Sequence, residues 1–266
     1  MNQTEDKRNK IIGGKYFDRW WIMVIAVVGL ILLLIFSQPD PYKRIFLFVR
    51  EGIWTTVYIT CVSFLLVLVF GLIVALARLS KAAVIRGIST VYVEVIRGIP
   101  MLVQLIFWYF AFPSVMQKMG DVLNIQSMMD YRANAVAMAI LGLTVGYSAY
   151  MSEVYRAGIQ SISKGQMEAA RSLGMNYFQA MRYVILPQAV RVILPPVGNE
   201  FITLLKDSSL VSVVAVADMT RRGREFMSAN FIPIQTWVMV ALLYLVMTLL
   251  AARLVTWLER KYKMEK

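Results

Sequence analysis

Residues 53–77 form a run of 25 without a charged side chain. The hydrocarbon core of a bilayer is about 30 Å thick, and a helix of about 20 residues crosses it. Inside that core every backbone N–H and C=O must find its partner within the protein, which favours helices. Five further stretches are long and predominantly apolar: 20–36, 99–116, 133–155, 184–205 and 233–257. The expected fold is therefore all-α, a polytopic membrane protein with about six transmembrane helices. Composition agrees. Hydrophobic residues make up 59% of the 266, and mean hydropathy is +0.61. A water-soluble domain with that composition would expose far too much apolar surface.

The charge distribution orients these spans. Net charge is +12, but the basic residues flank apolar runs, which fits a membrane and not a nucleic-acid partner. Six spans put both termini on one side. Segments 1–19, 78–98, 156–182 and 253–266 then carry 5, 4, 4 and 5 Lys/Arg, or 18. The opposite segments 37–52, 117–132 and 206–224 carry 3, 2 and 4, or 9. The richer side is the cytoplasmic one. Span 20–36 reads as an uncleaved anchor, because no small-residue cleavage site follows Phe36.

Catalytic and metal signals are missing. The sequence has no His and one Cys, too few soft ligands for a zinc motif. Gly13-Gly14-Lys15 is followed by Tyr16, where a phosphate loop needs Ser or Thr. Cys61, inside an apolar run, reads as a small packing residue. The expectation is a non-catalytic chain without a cofactor of its own.

The polar segment between the fourth and fifth spans is ordered by its own chemistry. Ser163 can cap a helix, with Gln166 three residues on and Ile162 and Met167 as a flanking staple. Ala169 and Ala170 present almost no side chain, so a partner can approach the backbone closely. Gly174 suits the left-handed residue that ends a helix. Asn176 and Gln179 repeat the start signal, and Pro187 follows. Glu168-Ala169-Ala170, Gly174 and Leu186-Pro187 together resemble the Glu-Ala-Ala loop of ABC importer permeases, although Val184 stands where that pattern expects Ile.

Other strings resemble the polar-amino-acid permeases of the histidine/glutamine type. They are Arg97-Gly98-Ile99-Pro100-Met101-Leu102-Val103-Gln104 (with Ile99 for the usual Thr), Ala149-Tyr150 with Glu153 and Arg156, Gly165-Gln166, and 204–210. The resemblance covers about 48–260. It implies a type I ABC importer permease-like bundle. Residues 1–40 would add a cytoplasmic tail and an extra anchor helix to a permease domain at 41–266, with a coupling loop at about 156–183. It also implies a multi-pass protein of the bacterial cytoplasmic (inner) membrane that imports a polar amino acid. The implied partners are a dimer of cytoplasmic ABC ATPases that binds ATP and Mg, a second permease subunit (identical or paralogous) and an extracytoplasmic solute-binding protein. Glu168, Ala169, Ala170 and Gly174 would couple to the ATPase.

Substrate candidates come from polar groups inside the spans, which are expensive there. Gly142, Gly146, Ala149 and Glu153 recur at helical spacing and share one face. Glu153 is thereby expected inside the bundle, either facing a substrate ammonium or paired with Arg97 or Arg156. Asn199 is expected beside a helix break at Pro195-Pro196 and Gly198, where it could meet a carboxylate. Thr203 and Gln104 are further candidates. Lys206-Asp207 is expected to be a local ion pair.

Overall fold

The computed structural model describes residues 19–262, whose regular structure is entirely helical. The expected tail at 1–18, with Gly13-Gly14-Lys15, lies outside the described residues. In chain order the longer helices are α1 (Arg19–Ser37), α2 (Pro39–Val49), α3 (Glu51–Arg78), α4 (Ala83–Gly98), α5 (Met101–Leu123), α6 (Ala135–Gln160), α7 (Lys164–Ser172), α8 (Leu186–Asp207), α9 (Met219–Asn230) and α10 (Pro233–Tyr262). A one-turn helix at Tyr177–Ala180 and a 3-10 helix at Ser208–Val214 flank α8 in sequence.

Among the described residues, four segments are long and apolar enough to cross a membrane: α1, the α2–α3 pair, α6 and α10. A fifth appears if α4 and α5, bent by 102°, count as one span. The expected span 99–116 thus begins at a corner, and the expected loop 78–98 is mostly helix. The corner follows from Pro100, which pushes the residue before it out of the helical region; Ile99 has φ −101° and ψ 128°. The remaining expected span, 184–205, is α8. Its 22 residues give about 33 Å of helix, but Arg191, Glu200, Lys206 and Asp207 lower its apolar character.

α1 is an addition at the edge. It rests on α2 and α10, burying Val24 and Ile31, and leaves most of its apolar surface outward. Arg253 of α10 lies over the rings of Trp20 and Trp21, at 5.4 and 6.0 Å. The centre of the bundle is α6, packed chiefly on α3 and also on α4, α5 and α8. Ile59, Val67, Leu105, Leu143, Met151 and Leu204 are buried in this core. The 3-10 helix 208–214 joins it through Val211 and Val214, so the apolar run after α8 is folded inward.

Two π-turns mark proline positions. Phe107–Ala111 precedes Phe112-Pro113, and Met181–Ile185 precedes Leu186-Pro187. Proline lacks an N–H and its ring presses on the carbonyl four residues back. Widening one turn to i→i+5 accommodates it. Phe112 N–H donates to Phe107 C=O, and Leu186 N–H to Met181 C=O. The Leu-Pro pair therefore sets the entry of α8. Inside α8, Pro195 and Pro196 do not break the helix as expected; it is continuous to Asp207. Their fixed φ of about −65° is itself helical. What they remove is the pair of N–H donors that would reach the carbonyls of Arg191 and Val192.

Candidate functional site

α6 and α8 run antiparallel, and two contacts set their register. Near one end Gly158 faces Ile193 so closely that a Cβ on residue 158 would lie 2.1 Å from Ile193 Cγ1. At the other, Tyr147 Oη donates to Asp207 Oδ2 at 2.7 Å. Asp207 is thus tied to α6 and not to Lys206. Between the two contacts, on the side facing α4, lies a cavity of about 440 Å³. Its polar lining is Arg97, Tyr150, Glu153, Ser161 and Glu200, and its apolar wall includes Val154, Val192 and Pro196. Glu200 lies midway between the two contacts along α8, level with the turn of α6 that holds Tyr150 and Glu153. Arg97, Ala157, Val192 and Pro196 are exposed, so the cavity is open on one side.

Glu153 is an ion-pair centre. Its Oε2 accepts from Arg78 and from Arg156 Nε at 3.1 Å, and its Oε1 accepts from Arg156 Nη2. Arg156 was an expected partner. Arg78 was not, because as the last residue of α3 it reads as part of a loop. Arg97, the other expected partner, lies instead over the Tyr150 ring at 5.3 Å. One carboxylate and two guanidiniums carry a net charge of +1. Of the two expected roles for Glu153, the ion pair is the one these contacts form. The cluster joins α3 to α6 while the Glu153 side chain stays 29% exposed to the cavity.

The other candidates sit elsewhere. Gln104 is buried, and its Nε2 donates to the carbonyls of Ile96 and Ile99, both at 2.8 Å. It ties down the acceptors exposed at the α4–α5 corner and does not line the cavity. Asn199 and Thr203 are exposed one turn apart on α8 and are not among the cavity-lining residues; Thr203 Oγ1 donates to the Asn199 carbonyl at 2.9 Å. Asn199 was expected beside freed N–H groups. Prolines free carbonyls instead, which are acceptors.

The polar loop has the capped geometry its residues imply. Ser163 Oγ accepts from Gly165 N–H at 3.3 Å. Gln166 does not close a capping box; its Oε1 accepts from Gln188 Nε2 at 3.1 Å, joining α7 to α8. Gly174 has φ +83°. Its N–H donates to Arg171 C=O at 3.0 Å, and Met175 N–H donates to Ala170 C=O at 3.2 Å, the paired closure of a helix ending in a left-handed residue. Asn176 and Gln179 form a reciprocal capping box.

Exposure divides the expected coupling residues. Glu168 and Ala169 are exposed, but Ala170 is only 3% exposed. α7 packs on the π-turn 181–185, and Ala170 is enclosed on that inner side. The expectation that Ala170 faces a partner is corrected: its small size lets α7 seat on the chain itself. Sequence reasoning missed the apolar surface beside it. Leu173 is 80% exposed, Phe178 82%, and Tyr177 is also exposed. In a polar loop these large side chains had a signal, since each interrupts a run of polar and small residues.

Residues 67–264 match the family described as the binding-protein-dependent transport system inner membrane component. The chain belongs to this family. The glutamine transport system permease protein GlnP of Escherichia coli K12 is 36% identical over 213 residues, covering 80% of this chain and 92% of that one. The arginine transport system permease protein ArgU of Corynebacterium glutamicum is 34% identical over 242 residues, covering 86% and 75%. A solved chain described as an amino acid ABC transporter with histidines is 37% identical, with TM-score 0.72, and the match covers 85% of this chain and 98% of that one. The inward-facing MetNI methionine ABC transporter, 20% identical at TM-score 0.64, shares the fold. The loop-based resemblance to ABC importer permeases is thereby borne out, as is the helical-bundle fold class.

Proposed function

We propose that this chain is the transmembrane subunit of an ATP-driven importer that carries a polar amino acid across the cytoplasmic membrane. The observation behind this reading is the loop at 163–187. It is capped at both helices, held against α8 through Gln188 and against the π-turn 181–185 on the Ala170 side, and tipped with exposed Leu173, Tyr177 and Phe178. Large apolar side chains standing out of a polar loop suit a protein partner. The relatives named for glutamine and arginine transport support the amino-acid substrate.

In this reading a cytoplasmic ATPase dimer, which binds ATP and Mg, docks on α7 and the following turn. A second permease subunit, identical or paralogous, closes the open side of the cavity, and an extracytoplasmic binding protein delivers the solute. ATP favours the closed ATPase dimer. The docked loop moves with it, and α8 moves with the loop because Gln188 and the π-turn join them. The two permeases then expose the cavity outward, and hydrolysis returns it inward: alternating access driven by another chain's differential affinity for two states. The two-fold Lys/Arg excess supports a cytoplasmic loop and cytoplasmic termini. Residues 1–40 are then a tail and extra anchor preceding the permease domain at 41–266.

The rival is a secondary transporter driven by an ion gradient. Uptake of labelled glutamine by cells expressing the permease with its ATPase and binding protein separates the two. Import should survive a protonophore while ATP is maintained and stop when ATP is depleted. Import that persists without ATP and stops with the protonophore would reject this reading.

A further inference from the structure

Two charged groups in the cavity have none of the partners that occupy Glu153. Among the described residues, no carboxylate lies within 4 Å of the Arg97 guanidinium, whose contact is with the face of the Tyr150 ring. Stacking on a ring leaves the in-plane N–H donors of a guanidinium free to bind a carboxylate. Glu200 on the facing helix makes no ion pair or side-chain hydrogen bond among the described residues, yet is half-buried in the same cavity wall. A cation and an anion that share a cavity but do not bond to each other are placed to be bridged. A free amino acid bridges them with its own two charges.

We propose that Arg97 binds the α-carboxylate and Glu200 the α-ammonium of the transported amino acid, and that the cavity selects against a cationic side chain. This rests on the import reading above. The second half follows from charge. Arg97 contributes +1 and Glu200 −1, and the Arg78–Glu153–Arg156 cluster meets the cavity through Glu153, whose charge its two arginines already neutralise. A zwitterion satisfies the first two and leaves no unpaired carboxylate for its side chain. A neutral or acidic side chain is accepted there. A guanidinium or ammonium on the side chain would be desolvated without a free counter-charge, which a low-dielectric cavity penalises heavily. On the α8 side the carbonyl of the lining residue Val192, left without a donor by Pro196, adds an acceptor suited to an ammonium and not to a carboxylate.

The test is equilibrium binding of radiolabelled glutamine, glutamate and arginine to the detergent-purified permease–ATPase complex, without binding protein. Wild type should bind glutamine or glutamate at least tenfold more tightly than arginine. Arg97→Gln and Glu200→Gln should each weaken that binding tenfold or more, the usual cost of leaving one charge of a desolvated pair unmet. Asn199→Ala should change it less than twofold. Glutamine methyl ester, which lacks the carboxylate, should bind wild type poorly and lose nothing further in Arg97→Gln. Thermal unfolding of both variants should match wild type, because neither residue holds an internal ion pair. Tighter binding of arginine, or wild-type affinity in both variants, would overturn the proposal. Such a result with ATP-dependent uptake intact would leave the import reading standing. Loss of ATP dependence in wild type would remove both.

Discussion

The residue that best shows how neighbours decide a role is Glu153. Its carboxylate accepts from two arginines on two helices, so it stabilises the contact of α3 with α6. Replacing it with Gln leaves Arg78 and Arg156 facing each other with a neutral acceptor between them. Removing one partner of a charged pair costs more than the pair contributes, because the remaining charges lose their compensation. Partial exposure to the cavity moderates this to about 1–3 kcal/mol. Glu153→Gln should lower the thermal unfolding midpoint of the purified complex. Arg78→Gln, which relieves the excess positive charge, should cost less. An unchanged midpoint together with a selective loss of substrate affinity in Glu153→Gln would mean that the carboxylate serves the substrate after all. Charge and helical spacing placed Glu153 inside the bundle from the sequence alone. Its partners were not legible, because Arg78 is 75 residues away in sequence and only tertiary packing brings it near. Gln104 teaches the same point. A polar side chain in an apolar run signals a polar need nearby, and here the need is two backbone carbonyls at a corner.

At the scale of elements, local rules were the most legible. The cap at Ser163, the left-handed Gly174 and the box at Asn176–Gln179 each depend on residues within five positions. The bend at Pro100 and the π-turns before Pro113 and Pro187 also follow from local sterics, although an apolar run gives no warning that a helix will widen and not break. That is why span 184–205 was expected to be interrupted and α8 is continuous. The element that matters most for coupling is the loop, and two substitutions test it separately. Gly174→Val forces a β-branched residue to φ +83°, a position that costs such residues heavily. It should distort the end of α7. Leu173→Ser with Phe178→Ser leaves the caps intact and removes the apolar tip. Both variants should insert normally, and both should lose at least tenfold in capture of the ATPase by pull-down, since central apolar anchors dominate an interface. Retained capture by both would place the docking surface elsewhere.

For the whole molecule the central question is orientation. α1 lies at the edge of the bundle with its apolar surface outward, and the bundle without it already encloses the cavity. In the proposed arrangement α1 is an extra anchor outside the permease core. In a Cys61→Ser background, Ser127→Cys should react with a membrane-impermeant thiol reagent added outside intact cells. Thr4→Cys and Leu173→Cys should react only after permeabilisation. Outside labelling of Thr4→Cys alone would mean that α1 does not cross; outside labelling of Leu173→Cys would invert the topology. Charge counting gives an expected orientation without any structure, whereas the cavity could not be read that way. It is built from α4, α6 and α8, and no local signal in the sequence pairs Arg97 with Glu200. The measurement that bears most directly on the account is simultaneous uptake of labelled amino acid and ATP hydrolysis in proteoliposomes. These would contain the permease, its ATPase and its binding protein, with no ion gradient imposed. Wild type should accumulate the amino acid only with ATP, and Leu173→Ser with Phe178→Ser should lower accumulation at least tenfold. Accumulation without ATP, or full ATP-driven accumulation through the variant loop, would contradict the account.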